Sequence, residues 1–227
     1  MPEARSVFVC LPALLLIACA TSPPSSFYVL TPIPEAAASA ADIEGGGVSI
    51  GIGPVVFPQF LDRPQLVTRD SANRLSLDEF HRWGGTVQDD FLRVWGENLT
   101  HLLGTSRVLA FPSESRMALD FRILAEVVSF EGIPGNAALL KVRWAVMDPY
   151  LEQTLAARED VYRCPIEHRP QGSAPILGLS KDKGPGADSE AVVAAMSRCL
   201  GDFSRDVASV VRRLPKPPPP AATVSPI

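Results

Sequence analysis

The alternation of apolar and polar residues between 119 and 146 leaves this chain the fewest choices. Leu119, Phe121, Ile123, Ala125 and Val127 alternate with Asp120, Arg122 and Glu126, and Ala138, Leu140, Val142, Trp144 and Val146 alternate with Lys141 and Arg143. A period of two belongs to strands with one face buried. Gly132, Pro134, Gly135 and Asn136 lie between the runs and supply turn chemistry. The pattern predicts a long antiparallel hairpin, continued by a more polar strand from Thr154 to Arg163. Its apolar face needs a cover. Two segments of helical period can provide one. Val87, Phe91, Val94, Trp95, Leu99, Leu102 and Leu103 form the first stripe, with Thr86 and Asp89 resembling a capping box and Gly104 ending it. Val192, Met196, Cys199, Leu200, Phe203, Val207, Val210, Val211 and Leu214 form the second, with Asp188 or Ser189 as cap and Pro215 as stop.

Ahead of the first helix, GVSIGIGPVVFP has the β-branched content of a buried strand. The stretch FLDRPQLVTRDSANRLSLDEFHRW reads as extended pieces around a turn at Ser71 to Arg74, and SRVLAF follows the helix as another strand. Strand, hairpin, helix and strand make a crossover unit with parallel strands. The expected fold is α/β with an α+β-like layout: a single domain whose mixed sheet contains the strand–helix–strand unit and the antiparallel hairpin, with two principal helices packed on it.

The N-terminus reads differently. In LLLIACATSPPS the apolar run from Val7 to Ala18 follows Arg5, ends at Cys19 and switches at once to polar, proline-broken sequence. The run is shorter than the about 20 residues that span a bilayer but has the length of a secretory core. Leu16-Ile17-Ala18-Cys19 has the form of a lipobox, in which the thiol is acylated and becomes the first mature residue. Two other readings stand beside it: cleavage after Ala20, which would release a soluble protein, and a buried thiol in an uncleaved helix. The lipobox reading makes residues 1–18 a lipoprotein signal peptide and leaves 209 of the 227 residues, enough for one core. It makes 19–47 a flexible tether with a short strand at Phe27 to Leu30, 48–214 the domain, and 215–227 a disordered proline-rich tail. Ala20 after the cysteine, in place of aspartate, favours the outer membrane, facing the periplasm. Once Cys10 leaves with the signal and Cys19 is acylated, Cys164 and Cys199 remain. They form either a disulfide or two separate buried thiols.

Chemical motifs are scarce. A net charge of −4, with lysine and arginine scattered, gives no nucleic-acid footprint. Gly47-Val48-Ser49-Ile50-Gly51 matches G-x-S-x-G, but the serine lies within an apparent strand and Pro54 offers no helix start. Gly51-Ile52-Gly53 lacks the third glycine, lysine and helix of a phosphate loop. His81, His101 and His168 are far apart and belong to no metal-binding spacing. Asp89 and Asp90 suit the first turn of a helix, and Asp78 and Glu79 suit a solvated face. No catalytic set, cofactor or metal site is expected.

IGPVVFPQFLDRPQLVTRDSANRLSLDEFHRW, the later LLGTSRV and the early SSFYVLTP resemble the PqiC-type family of ABC-transport auxiliary lipoproteins, found in paraquat-inducible intermembrane transport systems. The resemblance covers the anchor, the core from about Val48 to Phe111 and the layout to the last helix. It implies a lipid-anchored, non-enzymatic accessory of the outer membrane. Its implied partner is an inner-membrane protein carrying MCE domains, in a system that moves lipids or other hydrophobic molecules. His81 and the Gly84-Gly85 pair depart from related sequences. Within LDRPQLVTR and the turn after it, Asp62, Arg63, Gln65, Arg69 and Asn73 are candidate interface residues, toward the partner or toward another copy in a homo-oligomer. The alternative is that Asp62 and Arg63 only fix the loop over buried Leu61, Leu66 and Val67. Two other functions compete: a carrier holding a hydrophobic ligand between sheet and helix, and a structural tether of the envelope.

Overall fold

A computed structural model describes residues 24–34, 47–113, 115, 117–167 and 185–216. In chain order its elements are β1 (Ser26–Tyr28), β2 (Ile50–Val56), β3 (Gln65–Ser71), β4 (Arg74–Trp83), α1 (Val87–Leu103), β5 (Val108–Ala110), β6 (Phe121–Ile133), β7 (Ala137–Met147), β8 (Thr154–Pro165) and α2 (Pro185–Val211).

The alternating residues of 119–146 form β6 and β7, antiparallel from Arg122 opposite Met147 to Ile133 opposite Ala137. β8 extends the hairpin along all of β7. The other edge of β6 is divided. β2 runs parallel to its first half, from Ile50 opposite Phe121 to Val56 opposite Glu126, and β3 takes over farther along, with Thr68 opposite Gly132. The sheet therefore forks. One branch ends in β5, parallel to β2 as the crossover reading requires; the other continues through β4 to β1 at its edge. All eight strands belong to one mixed sheet.

Both helices cover one face. Phe121, Ile123, Ala125, Val127 and Phe130 of β6 and Leu140, Val142, Trp144 and Val146 of β7 are buried toward Phe91, Val94 and Trp95 of α1 and Met196, Leu200, Phe203 and Val207 of α2. Trp95 stacks on Phe203 at 5.2 Å, and Phe91 meets Phe130 edge-on at 5.4 Å. Aromatic pairs in these geometries contribute about 1 kcal/mol each beyond area burial. Thr86 caps α1 by accepting the Asp89 amide, and Gly104, at φ 62°, ends it.

Three expectations need correction. Gly132 lies inside β6 and not in the turn, because Val192 of α2 packs directly on it: a Cβ there would come within 2.3 Å of Val192 Cγ1. α2 begins at Pro185, a residue suited to the first helical position, so Asp188 sits in the first turn, where a negative charge is favoured, and is not the cap. The folded unit also reaches upstream of Val48, since β1 pairs with β4 and both Leu30 and Ile33 are buried.

The fit of Val192 over Gly132 generates a stability test. Gly132→Ala is expected to lose about 1 to 3 kcal/mol as α2 is pushed off the sheet, whereas Gly135→Asn, at the exposed turn with φ 71°, keeps a conformation that asparagine tolerates. Urea denaturation of both variants measures the difference.

Candidate functional site

Two regions carry the polar residues that the core does not explain. The first follows β1. Leu30 to Ile33 lie in no strand, yet their backbone groups leave water, so side chains must satisfy them. The Leu30 amide donates to Asp90 Oδ2 at 2.5 Å, and Arg93 Nη2 donates to the Leu30 carbonyl at 3.0 Å. Thr31 N donates to Ser197 Oγ at 3.1 Å, and Ile33 N to Asn98 Oδ1 at 2.8 Å. Asn98 is fully buried, and its Nδ2 donates to Ser204 Oγ at 3.1 Å. Arg93 is oriented by Asp90 at 2.6 Å and Glu97 at 2.9 Å, and its bond to Asp90 raises its pKa above the ordinary guanidinium value. Gly201 lets Ile33 lie on α2, for a Cβ there would come within 2.8 Å of Ile33 Cγ2. Residues from both helices thus grip a segment that lies within the expected 19–47 tether. In the sequence Asp90 passes for a dipole residue and Asn98 for an ordinary helix residue. The available signal is that Asn98 falls four residues after Val94 on the apolar stripe.

The second region is LDRPQLVTR. The chain turns through hydrogen bonds from Leu61 N to Pro58 O and from Arg63 N to Leu61 O, both 2.9 Å, and Trp83 N donates to Pro64 O at 2.8 Å. Leu61, Leu66 and Val67 are buried beneath it. The five candidate interface residues are not equivalent. Asp62 and Asn73 are exposed, and Arg63 is half-buried, with an Nε that has no hydrogen-bond partner among the described residues. Gln65 Nε2 sits 3.3 Å from Glu79 Oε2. Arg69 is engaged inward. Its Nε lies 2.6 Å from Oε1 of the fully buried Glu131, while Nη1 donates to the Ala72 carbonyl. Glu131 Oε2 accepts the Phe130 amide at 2.8 Å. This ion pair sits where β3 joins β6, so Arg69 neutralises a carboxylate at the fork of the sheet.

Several polar groups elsewhere are occupied by structure. Ser49 is buried, and its hydroxyl donates to the Ala118 carbonyl at 3.0 Å and meets Asp120 Oδ2 at 3.2 Å. His81 is buried with Nδ1 2.6 Å from Asp78 Oδ2; the same carboxylate accepts the amides of Phe80 and His81, where the β3–β4 register breaks. Tyr162 donates to Asp206 Oδ2 at 2.8 Å, and burial, reinforced by that carboxylate, pushes its phenol well above the ordinary value. Cys164 on β8 and Cys199 on α2 come together with their sulfurs 2.17 Å apart and their Cα atoms 5.6 Å apart. Among the described residues no group of three His, Cys, Asp or Glu side chains could hold a metal ion, and no helix is long and apolar enough to cross a membrane. Cys19, the signal peptide, His168 and the tail beyond Lys216 lie outside the described residues.

A single folded unit of this shape, with a gripped N-terminal segment, defines a class of domain better than a reaction. The chain belongs to the family described as the ABC-type transport auxiliary lipoprotein component, which it matches over residues 28–174. Two crystal structures share its fold. An uncharacterized protein is 13% identical with a TM-score of 0.59, over 83% of this chain and 99% of that one. A Xanthomonas campestris protein of the DUF330 family is 16% identical with a TM-score of 0.56, over 85% and 94%. No curated protein matches the sequence.

The inward turn of Arg69 has a measurable consequence. Arg69→Ala is expected to destabilise the domain by about 3 to 5 kcal/mol, because it strands a buried charge, and Arg69→Met combined with Glu131→Met by much less. Denaturant midpoints of the single and double variants check both.

Proposed function

We propose that this chain is a PqiC-type lipoprotein, acylated at Cys19, held at the outer membrane and facing the periplasm. There it serves as a non-catalytic accessory that joins an inner-membrane protein with MCE domains in moving lipids or other hydrophobic molecules between membranes. The observation that carries this reading is the grip on Leu30 to Ile33, eleven to fourteen residues after the anchor cysteine. It transmits any load on the anchor straight to both helices, as a tethered component of an assembly requires. The family membership supports the same reading. An oxidising compartment would keep Cys164 and Cys199 joined, so that β8 and α2 are also tied covalently.

The carrier alternative finds less support. Phe91, Trp95, Phe130 and Phe203 fill the space between sheet and helices where a ligand would sit. For the partner surface, exposure favours Asp62 and Arg63 with Gln65 beside them, and Asn73 at the other end of the β3–β4 hairpin, while the inward bonds of Arg69 give it a supporting role.

The test is in-cell crosslinking and affinity purification from solubilised membranes. The wild type is expected to bring an MCE-domain protein, and Cys19→Ser to lose it. Asp62→Ala with Arg63→Ala should fold normally and also lose the partner. The purified protein, alkylated without reductant, should show unmodified Cys164 and Cys199 by mass spectrometry. Clean membrane-bound protein without that partner would contradict the reading.

A further inference from the structure

The sheet edge formed by β1 and β4 carries a surface unlike the rest of the domain. Among the described residues eight large apolar side chains are exposed, and four of them lie on this edge: Phe27 at 66%, Val29 at 54%, Phe80 at 41% and Leu77 at 40%. The charges beside them are already engaged, Arg82 with Glu79 at 3.5 Å and Asp78 with His81 at 2.6 Å. An apolar cluster rimmed by polar groups that already have partners suits an interface, and aromatic rings of this kind settle at the boundary between lipid headgroups and acyl chains.

The position of the edge names the occupant. Ser26 lies only seven steps along the chain from Cys19, and a fully extended chain of that length reaches at most about 25 Å. No slack can be drawn from downstream, because Leu30, Thr31 and Ile33 are held by α1 and α2. The opposite edge is β8, five strand spacings from β1 along the branch β1-β4-β3-β6-β7-β8, or about 24 Å. With β8 against the bilayer the tether would be stretched nearly straight, whereas with β1 against it the tether is relaxed.

We propose that the β1–β4 edge lies on the lipid surface, with Phe27, Val29 and Phe80 seated among headgroups and upper acyl chains. This orientation rests on acylation of Cys19. It turns β8 and the outer face of β7 away from the membrane, and it makes the domain a fixed platform on the bilayer.

The experiment uses the acylated protein reconstituted in vesicles of phosphatidylethanolamine and phosphatidylglycerol. With Cys19 acylated and Cys164 bonded to Cys199, a cysteine introduced by Phe27→Cys, Phe80→Cys or Val161→Cys is the one free thiol for an environment-sensitive fluorophore. Val161 lies on β8 and is 52% exposed, so it serves as the distant control. The expected result is blue-shifted emission, quenched several-fold by doxyl-labelled lipid, at positions 27 and 80, with position 161 unquenched. Protein that floats with the vesicles but shows no quenching at 27 and 80, or is quenched at 161, overturns the orientation alone. Protein that does not float overturns the acylation reading, and the orientation with it.

Discussion

The hydrogen bonds that grip Leu30 to Ile33 are the constraint on which the rest of the structure depends. A segment outside any strand enters the domain between two helices, and four of its backbone groups meet side chains placed for them: Asp90 and Arg93 on α1 bind Leu30, Ser197 on α2 binds Thr31, and Asn98, itself bound to Ser204, binds Ile33. Each such bond contributes about 1 kcal/mol net, but leaving a buried donor unmade costs about 1 to 3 kcal/mol. That asymmetry specifies how α1 and α2 sit relative to each other. A shift of either helix by one turn would break several partners at once. The aromatic stack of Trp95 on Phe203 packs the same two helices, but apolar contact is less selective about register than a network of matched donors and acceptors.

The division of the β6 edge between β2 and β3 follows from a second polar device. Glu131 has no exposed surface, and its charge is tolerable only because Arg69 reaches it across the strand junction and the Phe130 amide binds its second oxygen. Replacing such pairs by apolar groups is often neutral for stability. The pair is better understood as a register device that places β3, and with it the LDRPQ turn, at one position along β6. The turn itself can then present Asp62 and Arg63 from a backbone fixed on both sides.

Much of this fold was legible from periodicity. The β6–β7 hairpin, the strand–helix–strand crossover and both helical stripes follow from where apolar residues recur, since burial on one face imposes that pattern directly. The parts that were not legible share a physical cause. Gly132 looks like a turn residue until α2 is known to cross it, and Asn98 looks ordinary until a distant amide is brought to it. Arg69 reads as a surface cation in a stretch rich in polar residues, because nothing in its neighbourhood announces a buried carboxylate 62 positions away. Partners separated by this much sequence leave no local trace. In the candidate site, accordingly, the exposed residues of the turn could be named in advance but their division into inward and outward groups could not.

With Leu30 to Ile33 locked into both helices, the segment after β1 moves as one rigid unit with the domain. Amide hydrogen exchange resolved at Leu30, Thr31 and Ile33 tests it most directly. These amides should exchange as slowly as those in the middle of β6, and Asn98→Ala should release Ile33 while β6 stays protected. If the three amides exchange in the wild type as fast as those of the exposed Ala72–Asn73 turn, the segment is not locked and the mechanical account is wrong.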